Sequence, residues 1–273
     1  SATGLSALDS TQVAALSNTQ IAGVTATQIR GLNATDVSEL SATQVGALNT
    51  SQIGALSATN VSALDATQAA ALSGTQLRAL SNTQVQGLST TDLGELSATQ
   101  VGGLTASQIG ALSSTSLNAL DATQVSALSA TQVRGLTNAQ LGGLSTTDVG
   151  ELSSTQIGAL SATQVGALGA TNLAALSTTQ IGGLTATQIG GISATALSSF
   201  DATQVGSLSN TQIRGVTATQ IAGLSTTDVG ELTATQIGGL AASQVAALSA
   251  TGLSALDSTQ VAALSNTQIA GVT

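Results

Sequence analysis

The side chains best suited to chemistry in this sequence are four pairs of carboxylates: Asp36 with Glu39, Asp92 with Glu95, Asp148 with Glu151, and Asp228 with Glu231. Each pair is three residues apart, a spacing that sets both groups on one turn of a helix. Paired oxygens of this kind are candidate ligands for calcium, which takes six to eight oxygens, so each pair offers only part of the shell. The competing reading is a solvated acidic face, with Arg30 near enough in sequence to pair with Asp36 or Glu39. No other cofactor is expected, because the usual zinc ligands are missing: the chain has no His and no Cys.

Catalysis is not expected either. Ser and Thr are abundant, but a hydroxyl nucleophile needs a neighbouring base, and His, Cys and Lys are all absent. No catalytic residue is assigned. The formal charge is −9 with only four basic residues, Arg30, Arg78, Arg134 and Arg214, which leaves no electrostatic source for gripping a phosphate backbone. Nucleic acid is therefore excluded as an expected partner. No apolar run approaches the ~20 residues that a membrane helix requires, so no membrane insertion is expected.

What must position these groups is a repeat of eight residues, typified by SATQVGAL at Ser41–Leu48, with no insertion or deletion along the chain. Thirty-four octads fill the chain as far as Val272. Position eight is always apolar, and position five is apolar throughout, with Ala69 the one small residue. Leu16, Ile21, Leu40, Val45, Leu48, Ile53 and the lone aromatic residue, Phe200, are the expected core. One long helix fails, because eight residues at ~100° each leave the apolar stripe drifting by roughly 80° per octad.

Each octad reads instead as its own short helix. Position one is Ser, Thr, Asn or Asp except at Gly169 and Ala241, and position four is mostly Gln or Asp, which together form a capping box. The preceding Leu and the residue at position five are placed as a hydrophobic staple, as in Leu16 with Ile21 and Leu40 with Val45. Gly at positions six and seven is expected to end the helix, and small residues at two, six and seven to let turns approach closely. The expected fold is a solenoid of 34 octapeptides built from capped helical turns. The alternative is a β-solenoid, favoured by Thr at position three and by β-branched residues at five, but disfavoured by the opposite parity of positions five and eight. One octad cannot stand alone in either fold, so stability must be collective.

Longer periods overlie the octad. Residues 1–25 recur letter for letter as 249–273, an offset of 31 octads. The expected organisation is one block over 1–248 and the start of the next over 249–273, with no globular domain. Asp opens octads at Asp9, Asp65, Asp121, Asp201 and Asp257, in steps of seven, seven, ten and seven octads. The octad before each of these lacks its Gln, and three octads after each of the first four comes an acidic octad such as STTDLGEL. Steps of seven and ten octads return to one face if about 3.4 to 3.5 octads complete a superhelical turn.

Two resemblances rest on these motifs. LSATQV at Leu40–Val45 resembles the opening of TAL-effector repeats, which supports a helical octad; the basic residues and base-reading loop of those repeats have no counterpart here. The tandem LSxTQ[VI]GxL pattern of the whole chain resembles the repeat regions of giant secreted bacterial adhesins and cell-surface fibres. That resemblance implies an extracellular or cell-surface structural role: a segment of a filament or adhesin stalk whose partner is itself, through adjacent repeats or lateral association. With the β-solenoid, the alternative is a Thr ladder that binds ice or a polysaccharide surface.

Overall fold

The structure is a computed structural model and describes residues 2–272. Every octad forms one α-helix of four to six residues, from Ala2–Leu5 to Asn266–Ala270, and there is no strand among the described residues. The fold is a helical repeat solenoid, and the β-solenoid alternative is overturned. The capping chemistry decides it, because position one fixes an extended residue and positions two to four then turn into a helix.

The octad Ser41–Leu48 shows how. Ser41 is extended (φ −68°, ψ 158°) and caps the helix Ala42–Ala47. Its Oγ accepts from the Gln44 N–H at 3.2 Å, while Gln44 Oε1 accepts from the Ser41 N–H at 2.8 Å, closing the box. The Leu48 N–H then donates to the Val45 carbonyl at 3.2 Å, a tight last turn, and Leu48 returns to an extended conformation. Val45 and Leu48 are 0% and 4% exposed. Ile21, Leu40, Ile53 and Phe200 are likewise buried, whereas Leu16 is half-buried. Helices this short are unstable alone, so packing against other octads must hold them.

Two octads depart from the capping rule, as their sequences foreshadow. Before Gly169 the chain does not extend: Leu168 is helical and no side chain caps Gly169–Ala174. Ala241 has no oxygen to offer, but its N–H still donates to Gln244 Oε1 at 2.7 Å.

The chain divides into two compact units, one ending at Leu136 and the other beginning at Thr137. In each unit, octads pack against octads three and four further along. In the N-terminal unit, Gly46 lies against Ala71, and Gln44 bonds the carbonyls of Leu16 and Val13, 28 and 31 residues back. In the C-terminal unit, Gly158 lies against Gly183, and Gln212 bonds Leu184 and Ile181 at the same intervals. The inter-turn intervals, 25, 28 and 31 residues, run from about three to about four octads and bracket the three and a half that the spacing of the Asp-led octads predicts. Asp9, Asp65 and Asp121, at steps of seven octads, are therefore two turns apart within one unit.

Glycine acts differently from the sequence expectation. The glycines that end helices are right-handed, such as Gly23 (φ −81°) and Gly87 (φ −76°), and Gly169 is the one glycine with positive φ among the described residues. In octads such as Ser41–Leu48 the tight turn and the extended position eight end the helix without a left-handed residue. What glycine supplies is closeness. A Cβ on Gly110 would stand 2.5 Å from the Gly135 carbonyl oxygen, and one on Gly135 would stand 2.9 Å from Ala106 Cβ.

Candidate functional site

A five-residue helix leaves its last carbonyls without partners inside the helix. The octads answer this with the second end of Gln. Gln76 Nε2 donates to the carbonyls of Val45 at 3.0 Å and Leu48 at 2.8 Å, one turn back. In the other unit, Gln236 Nε2 reaches Val205 at 2.7 Å and Leu208 at 2.8 Å. The amide thus accepts within its own octad and donates across the turn, which a carboxylate, an acceptor only, does not do. Gln44 and Gln52 are 2% and 1% exposed, so these bonds lie away from water. The capping-box reading missed this role. The signal was the choice of Gln over Glu, since either closes a box but Glu has no hydrogen to give.

The four acidic octads replace this donor with an acceptor. Asp92 Oδ2 accepts from the Ser89 N–H at 2.6 Å and from Ser62 Oγ, 30 residues back, at 2.7 Å. Asp36 Oδ2 accepts from the Asn33 N–H at 2.8 Å and Ser6 Oγ at 2.7 Å. Asp228 Oδ2 accepts from the Ser225 N–H at 2.7 Å and Ser198 Oγ at 2.9 Å. Asp148 Oδ2 accepts from the Ser145 N–H at 2.9 Å and Ser145 Oγ at 2.6 Å. Ser6, Ser62 and Ser198 all belong to octads that lack Gln, so two marks that the sequence shows separately are the two halves of one contact.

Glu39, Glu95, Glu151 and Glu231 are half-buried at position seven. In Glu95 and Glu231 one carboxylate oxygen is closed off from solvent without a hydrogen-bond partner. No group of three or more acidic residues is placed to hold a metal among the described residues. One oxygen of each Asp, Oδ2, already accepts from N–H and O–H donors, and each pair offers far fewer oxygens than the six to eight that calcium takes. The hydrogen-bond partners of Asp36 are Asn33 and Ser6, not Arg30.

Several of the remaining charged residues bond within the coil. Asp65 Oδ1 accepts from the Gln68 N–H at 2.8 Å, as an N-cap. Asp121 Oδ1 accepts from Thr123 Oγ1 at 2.5 Å and from the Gln124 N–H at 2.8 Å; the Thr123 hydroxyl first, and the backbone N–H second, hold its carboxyl below the usual range. Arg78 Nε and Arg214 Nε donate to the carbonyls of Gly103 at 2.8 Å and Gly239 at 3.0 Å, each 25 residues ahead.

An interior cavity of about 30 Å³, lined by Leu197, Val205, Ile221, Asp228 and Leu232 among others, has room for about one water and none for a substrate. A larger recess is an open groove lined by Asn18, Ala42, Thr43, Gly46, Ala47 and Ala71, none of which titrates. No helix among the described residues is long and apolar enough to cross a membrane.

The model of the family described as the ALTTAQ repeat matches residues 136–170, to which this part of the chain is similar. No curated protein matches the chain. With the octad helices, that match makes this a tandem-repeat protein.

Proposed function

We propose that this chain is a structural segment of a large extracellular filament or adhesin stalk, a spacer or self-assembling fibre at a bacterial cell surface that serves attachment or biofilm formation. It carries no active site, needs no calcium or other cofactor, binds no nucleic acid, and has further copies of its own repeats as its main partner. The observation that supports this reading most is where the polar groups go. Ser41, Gln44 and their counterparts hold their own octad or the turn behind it, which favours propagation of the stack over recognition of a small molecule. The charge of −9 with four Arg argues against a phosphate-backbone partner.

Small-angle scattering on arrays of increasing octad number tests the role as a spacer. The expected result is a cross-section that stays constant while length grows in proportion to octad number. A radius of gyration that follows the weak power law of compact domains would contradict it. Immunogold labelling of intact cells tests location, with surface label expected; label confined to the cytoplasm would sink the adhesin reading.

A further inference from the structure

Near-identical octads raise a problem of register. The ladder bonds of Gln end on backbone carbonyls, which every octad offers, and positions five and eight are apolar in all of them. A turn that took in one octad too many would meet the same partners. The acidic octads differ, because Asp92 requires a hydroxyl at position six of the octad four places back and finds it in Ser62. Slippage by one octad would bring Gly54 or Ala70 to that place, and the same slip at Asp228 would replace Ser198 with Gly190 or Gly206. None of these four side chains offers a donor, and a carboxylate has no hydrogen with which to satisfy the carbonyls that Gln otherwise bonds. The slipped register thus leaves acceptors facing acceptors, an unfavourable arrangement in a half-buried site.

We infer that Ser6 with Asp36, Ser62 with Asp92, and Ser198 with Asp228 are register keys, which fix the octad that lies on each turn of a coil whose other octads are interchangeable. A single polar residue in a coiled-coil seam sets register by the same physics. In the N-terminal unit the key of Ser6 with Asp36 recurs as Ser62 with Asp92, and the next serine at position six before Ser62 is Ser38, three octads further back, so a slip of one octad meets no hydroxyl. The inference concerns how the coil folds and holds whether or not the chain serves as a stalk.

The absence of cysteine makes the test clean. Thr59 and Thr91 are exposed and sit in the octads of Ser62 and Asp92, so nitroxides on Thr59→Cys and Thr91→Cys report the separation of those octads by pulsed electron paramagnetic resonance. The parent should give one distance. Asp92→Gln, which makes its octad an ordinary ladder member, should keep helical circular dichroism and melting temperature but add a second distance. Gly54→Ser with Ser62→Ala, which moves the hydroxyl by one octad, should shift the main distance to that second value. An unchanged single distance in either variant overturns the inference. So does an Asp92→Gln that fails to fold, because the fold itself would then require the pair, beyond the selection of one register.

Discussion

Gly110 and Gly94 hold the same sixth place in their octads, both in the N-terminal unit, yet their surroundings differ. A Cβ on Gly110 would strike the Gly135 carbonyl oxygen, whereas one on Gly94 would meet nothing within 4 Å. Gly94 belongs to an acidic octad, and the acidic octads at Gly150 and Gly230 are open in the same way. Gln-bearing octads such as those of Gly110 and Gly158 are therefore packed until backbones touch, although Gly182 and Gly206 are open, while the acidic octads at Gly94, Gly150 and Gly230 are all open and Asp92 and Asp228 keep a charge-assisted bond across the turn. Adhesion between turns comes from the first kind, and discrimination between octads from the second.

The largest way to break this contrast is to remove the donor from a tight octad. Gln132 accepts from the Ser129 N–H at 2.7 Å and donates to Val101 and Leu104 at 3.1 and 2.8 Å. Gln132→Glu keeps the box but leaves two carbonyls unpaired beside a charge, and should cost about 3 kcal/mol in chemical denaturation. No loss would mean that Gln serves the box alone. Gly135→Ala puts a methyl against Ala106 and should cost about 2 kcal/mol by thermal melting. Ser62→Ala removes one bond to a carboxylate and should cost about 1.5 kcal/mol. Gly94→Ala, in open space on a helix, should stabilise by about 0.5 kcal/mol; a loss there would show that the acidic octads are as tight as the rest.

The smallest effect is that of pH at Asp121, whose exposed carboxyl is held low by Thr123. A carboxyl with a depressed folded pKa contributes stability above its unfolded value, near 3.9, and that contribution is lost as pH falls through the folded value. Titration of Asp121 by nuclear magnetic resonance should show its pKa rising in Thr123→Ala. A pKa that does not move would leave the hydroxyl without a role.

Much of this was legible in the residues themselves. Ser41 and Gln44 announce the box, Val45 and Leu48 announce the buried side, and the step from Asp9 to Asp65 announces a turn of three and a half octads. What stayed hidden involves groups far apart in sequence. The reach of Gln76 to Val45 and Leu48 depends on which octads stack, and an octad read alone has no stack. The link from Ser62 to Asp92 was invisible for the same reason, although both octads stood out by composition. Gly135 was read as a helix terminator because local rules favour a left-handed glycine there; it serves instead as the place where Ala106 of another turn comes close.

The central claim is that turns of short helices lie on one another three to four octads apart along the chain, as in the contacts of Gly46 with Ala71 and Gln44 with Val13. Gly46 and Ala71 test it most directly, because a Cβ on Gly46 would lie 3.9 Å from Ala71 Cβ, within the range that a disulfide spans. Gly46→Cys with Ala71→Cys should form an intramolecular disulfide quantitatively under mild oxidation while the far-ultraviolet spectrum stays helical. Free thiols under those conditions, or a strand spectrum, would contradict the account.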